Sequence, residues 1–90
     1  MSISTTKMRI LILDSLPETS DRNPMPCCKL AKKIALKERI INDEYISYAF
    51  LSADFRDTFQ NVLQNLNEQK IVQLIPSDGP EPWSGYVYLQ

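Results

Sequence analysis

The stripe Phe55, Phe59, Val62, Leu63 and Leu66, followed at once by a change of period, constrains this chain more than any other feature. Spacings of i, i+4, i+7, i+8 and i+11 bring five large apolar side chains to one side of a helix, whereas a strand would divide them between two faces. Ser52 is a good N-cap for that helix. After Lys70 the run Ile71-Val72-Gln73-Leu74-Ile75 is extended in character, and Pro76 stops it. Residues 77–85 hold Pro80, Pro82 and both glycines, which marks a loop, and Tyr86-Val87-Tyr88-Leu89 is a second strand that can pair back on the first.

Upstream of the stripe, Cys27 to Ile41 reads as a helix that starts near Pro24 or Pro26. At 100° per residue its Cys27, Leu30, Ala31, Ile34, Ala35 and Ile41 share one side, while Lys29, Lys32, Lys33, Lys37 and Arg39 gather on the other. Asn42 can cap a following segment with Asp43 and Glu44 in its first turn, and Tyr45, Ile46, Ala49 and Phe50 then fall at helical spacing, so a short helix is expected to about Phe50. Residues 17–26 are rich in Pro, Ser, Thr, Asn and Asp and read as a loop. Met8 to Leu16 is ambiguous. Thr6 can cap a helix there, yet Met8, Ile10 and Ile12 alternate as in a strand; a helix is favoured, and a strand would instead join the C-terminal pair in an α+β sheet. Residues 1–6 are polar and expected to be loose, leaving 7–90 as one domain, since 90 residues bury roughly 60–65% of their unfolded surface around a single core. The expected core sets Phe55, Phe59, Val62 and Leu66 against Leu30, Ile34 and Ile46.

From about Asn42 to Leu89 the order short helix, tight turn, long helix, strand, loop, strand resembles the winged helix-turn-helix superfamily. The residues that carry the resemblance are the Phe55 to Leu66 stripe, Glu68-Gln69-Lys70-Ile71-Val72 where the helix hands over to the hairpin, and Gly85-Tyr86-Val87-Tyr88-Leu89. With Cys27 to Ile41 as an earlier core helix, the resemblance implies a mainly α fold of three to four helices with a two- or three-stranded wing sheet. It also implies binding of double-stranded DNA, as in a small transcriptional regulator or DNA-associated accessory factor.

On that basis Gln60, Asn61 and Gln64 are candidates for base contacts, Arg56 for a guanine or a phosphate, and Lys29, Lys33 and Lys37 for the backbone, with Thr58 as a further DNA-binding candidate. Charge qualifies this. The balance over residues 29–39 is +4, whereas from residue 40 onward Arg56 and Lys70 stand against Asp43, Glu44, Asp54, Asp57, Glu68, Asp78 and Glu81. Carboxylates on the helix that carries the Phe55 to Leu66 stripe and in the 77–85 loop oppose phosphates. The alternative expectation is a winged helix that binds protein, as a homodimer or a subunit of a larger complex, with Trp83, Tyr86 and Tyr88 as aromatic anchors.

Other classes of function have less behind them. The chain has no histidine, no G-x-G-x-x-G, no P-loop and no G-x-S-x-G, so neither an enzyme, a cofactor nor a small-molecule substrate is expected. Asp43 with Glu44, and Asp54 with Asp57, read as helix N-terminal acids. Two adjacent cysteines cannot complete a zinc site, and Cys27 and Cys28 read as reduced thiols at a helix start. No apolar run approaches the roughly 20 residues that span a bilayer, and the first residues lack the pattern of a secretory signal, so a cytoplasmic protein is expected.

Overall fold

The computed structural model describes residues 3–43, 45–77 and 85–90. The elements are α1 (Thr5–Asp14), β1 (Met25–Pro26), α2 (Cys27–Lys37), α3 (Ala53–Glu68), β2 (Val72–Ile75) and β3 (Tyr86–Leu89). The three strands form an antiparallel sheet in the order β1-β3-β2.

Helical spacing wins in the ambiguous N-terminal segment. Met8, Leu11 and Ile12 are buried while Ile10 is 54% exposed, the outcome of an i, i+3, i+4 pattern; a strand would have placed Met8, Ile10 and Ile12 together. Its N-cap is Ser4, whose Oγ accepts from Lys7 N–H at 3.2 Å, and not Thr6. Thr5 and Thr6, expected in a loose terminus, form the first helical turn, and Ile3 packs on the core.

The loop after α1 is pinned by Thr19. Its hydroxyl donates to the Leu16 carbonyl at 2.6 Å and accepts from Leu89 N–H at 2.9 Å, tying the loop to the end of β3. Sequence patterning missed β1. Two residues are too short for a period, but Met25 pairs with Val87 and Pro26 with Tyr86, and proline is tolerated there because β1 is an edge strand. Cys27 N–H donates to the Gly85 carbonyl at 2.9 Å, so one of the unpaired donors at the start of α2 is satisfied by the residue that opens β3.

Helix α2 stops four residues short of the expected Ile41. Arg39 takes a left-handed conformation (φ 58°), Arg39 N–H donates to Leu36 O (3.1 Å) and Ile40 N–H to Ala35 O (2.8 Å), which is a Schellman cap without glycine. The same device ends α3. Lys70 has φ 62°, with Lys70 N–H on Asn67 O and Ile71 N–H on Leu66 O, both 3.0 Å.

The helix expected over 42–50 does not form. Asp43 Oδ1 accepts from Tyr45 N–H at 2.9 Å, a side-chain turn that competes with helix, and a single 3₁₀ turn, Tyr48–Phe50, follows. Tyr48 and Leu51 are buried there, whereas Tyr45 (86%) and Phe50 (82%) lie open to solvent and Ile46 is only half-buried, outside the core cluster. Ser52 then caps α3, accepting from Phe55 N–H at 3.2 Å.

All five stripe residues of α3 are buried in one cluster with Leu30 and Ile34 of α2, Met8, Leu11 and Ile12 of α1, and Val72 and Val87 of the sheet. Phe59 stacks on Phe55 (centroids 6.4 Å apart, planes 4° apart) and meets Tyr48 at a tilt. Asn67 Oδ1 accepts from Leu74 N–H at 3.1 Å, fastening β2 to the end of α3. Among the described residues no helix is long and apolar enough to cross a membrane.

Candidate docking surfaces on the second and third helices

Burial of Leu30, Ala31, Ile34 and Ala35 turns the opposite side of α2 outward, so Lys29, Lys33 and Lys37 are exposed and Lys32 is half-buried. Among the described residues the ion pair is Lys7 with Glu38 (2.8 Å), and none of these four lysines joins one. Lys29, Lys32 and Lys33 line a groove of about 390 Å³ with Leu36 and Tyr45. The groove is therefore cationic along one helix and apolar where Leu36 and the tyrosine ring meet it. Lys29 and Lys33 also border a second groove that contains Asp14, Glu18 and Met25, so the cationic character is strongest on the Tyr45 side.

The outward face of α3 has the opposite sign. Asp54, Asp57, Asn61, Gln64 and Glu68 are exposed, all within about a third of a turn either side of the direction opposite the buried stripe. Arg56, the helix's one cation, is half-buried, and its Nε is buried without a hydrogen bond. Thr58 is half-buried. Gln60 is also half-buried, and its Nε2 donates to the Tyr48 hydroxyl at 3.0 Å, so that amide is engaged inside the molecule. Burial raises the Tyr48 pKa, an effect the Gln60 bond moderates.

The polar residues expected to act together line different grooves. Asn61 borders one with Thr5, Thr6, Arg9 and Asn65, while Gln60 and Gln64 border another with Cys27, Leu74, Pro76 and Tyr86, and the lysines border neither. Tyr86 is 40% exposed in the Gln60 groove and Tyr88 is half-buried; Trp83 lies outside the described residues.

Both cysteines are free. Cys27 is buried at the start of α2, and desolvation, reinforced by the neighbouring Cys28, pushes its thiol up to about 11. It stays protonated at neutral pH, which suits a packed side chain and not a nucleophile. No group of three or more His, Cys, Asp or Glu among the described residues is placed to hold a metal ion.

Tyr45 and Phe50 are the surface residues that patterning misplaced. Their helical spacing assigned them to a short helix, and the competing signal was the turn chemistry of Asn42 and Asp43. Comparison with protein-family models, with curated proteins and with solved structures found no match.

Proposed function

We propose that this chain is a winged-helix-like module that binds protein through the faces of its second and third helices. The order α1-β1-α2-α3-β2-β3, with β1 and β2 flanking β3, is compatible with a winged-helix layout in which β2 and β3 are the wing strands. In such a layout α2 and α3 would stand as the helix-turn-helix pair, in place of a 42–50 helix. The observation that carries the functional proposal is the nearly full exposure of Tyr45 and Phe50 in the segment between those helices. Two large aromatic side chains left open in so small a domain are favoured interface anchors.

The charge of α3 points the same way. A helix entering the major groove lies close to phosphates on both sides, and Asp54, Asp57 and Glu68 would be repelled there. A second proposal, DNA binding, retains one specific support: Lys29, Lys33 and Lys37, exposed and four residues apart on α2. Fluorescence anisotropy with labelled duplex DNA at low and moderate salt separates the two. Protein binding predicts affinity no greater than that of an acidic control protein; salt-dependent binding lost on replacing Lys33 and Lys37 by Gln would overturn it.

A further inference from the structure

We infer that the partner of the Lys29–Lys32–Lys33–Tyr45 groove is the Phe50 and α3 face of a second copy of this chain. The inference rests on the protein-binding proposal and adds the identity of the partner.

Two surfaces of one molecule are complementary in both charge and apolar content. The first is the groove of about 390 Å³ between α2 and Tyr45, with three lysines along one side and Leu36 and the Tyr45 ring for apolar contact. The second is the outward face of α3, with carboxylates at Asp54, Asp57 and Glu68, preceded by the 82% exposed ring of Phe50. Among the described residues none of these lysines or carboxylates is neutralised by an ion pair within the chain. A molecule with such a pair of faces carries its own ligand: Phe50 meets Leu36 and Tyr45, and the carboxylates of α3 meet the lysines of α2. Complementary potentials steer such encounters and fix their register. Applied reciprocally about a two-fold axis the contacts close a dimer, and applied head to tail they extend into a chain.

Sedimentation equilibrium across protein concentration, at about 0.05 M and about 1 M NaCl, tests the inference, because the shorter Debye length at high salt weakens exposed ionic contacts. Two double variants at exposed positions away from the core are used: Lys29→Glu with Lys33→Glu, and Asp57→Lys with Glu68→Lys. Circular dichroism melts establish that each remains folded. The wild type is expected to associate at low salt with micromolar affinity and to weaken by about tenfold or more at high salt. Each variant is expected to be monomeric alone, because its two faces then have like charge. An equimolar mixture of the variants is expected to associate again, because each face meets one of opposite sign.

A wild type that is monomeric at every concentration overturns the inference, as do variants that associate like the wild type or a mixture that stays monomeric. Duplex DNA added to the same wild-type sample separates this failure from that of the parent proposal. A monomer that ignores DNA removes only the self-partner, whereas a monomer that binds DNA through Lys29 and Lys33 removes both. If Phe50→Ala leaves the melt unchanged and lowers the association constant at least tenfold, the aromatic contact is part of the interface; unaltered association removes Phe50 from it.

Discussion

Two phenylalanines nine residues apart provide a quantitative test of which surfaces this fold covers. Phe59 is 1% exposed, stacked on Phe55 and tilted against Tyr48, whereas Phe50 is 82% exposed. Truncating Phe59 to alanine removes the ring from the centre of the cluster that joins all three helices to the sheet. The lost transfer free energy of a buried ring is about 2 kcal/mol, and a residual cavity of about 80–100 Å³ adds about 2 kcal/mol more. A loss of about 4 kcal/mol is a large share of the roughly 5–13 kcal/mol available to a domain of this length. In a thermal melt followed by circular dichroism it corresponds to a fall in Tm of about 15–30 °C. The identical change at Phe50 is expected to alter stability by less than about 0.5 kcal/mol, since it uncovers nothing. A Phe59→Ala protein melting within about 5 °C of the wild type would refute the packing, and a Phe50→Ala protein destabilised as much as Phe59→Ala would refute the assigned exposure.

Three further outcomes follow from the backbone and the thiols. A Cβ at Gly85 would collide with the Ile75 carbonyl oxygen beside the β2–β3 junction, so Gly85→Ala is expected to cost about 2–4 kcal/mol in urea unfolding, and a neutral result would contradict the close approach. Arg39→Gly and Lys70→Gly relieve left-handed backbone at the two helix caps, and each is expected to raise stability by about 0.5–1 kcal/mol; a loss at both would contradict the caps. Iodoacetamide at pH 8 is expected to label Cys28 well before Cys27, as mass spectrometry of timed digests would show. Because the folded protein retains the Cys27 proton up to about 11 against an ordinary 9.0, it binds more protons than the unfolded chain in that interval. Stability therefore falls as pH rises from about 9 to 11, a fall that Cys27→Ala reduces and that Tyr48, also raised, continues above pH 10.

Much of the fold could be read from patterning because its long elements are strongly periodic. The α3 stripe, its Ser52 cap and the two strands of the hairpin lie where their spacing and turn residues put them, since burial of one face is what those patterns encode. What escaped was encoded by single residues. Both Schellman caps use Arg39 and Lys70 where glycine would have announced the helix end, so the apolar pattern of α2 runs four residues past its last turn. β1 has two residues and is held by pairing with β3, a tertiary cause with no local signature. Residues 45–50 fit a helical period, but the Asp43 side chain gives the Tyr45 N–H a partner outside any helix. The surface was less legible than the core for the same reason. The lysine face of α2 follows from its buried side, whereas the exposure of Tyr45 and Phe50, the engagement of Gln60 with Tyr48 and the separation of Asn61 from the lysines depend on how elements distant in sequence pack.

Nitrogen-15 NMR of the wild-type protein at low salt, recorded first on serial dilution and then with duplex DNA added, tests the protein-docking account most directly. If α2 and α3 are docking faces for a second copy of this chain, dilution is expected to move the amides of residues 29–37, Tyr45, Phe50 and the outward side of α3, leave the buried core unchanged, and be followed by no response to DNA. A spectrum invariant to dilution, with DNA shifting the amides of α2 or α3, would contradict it.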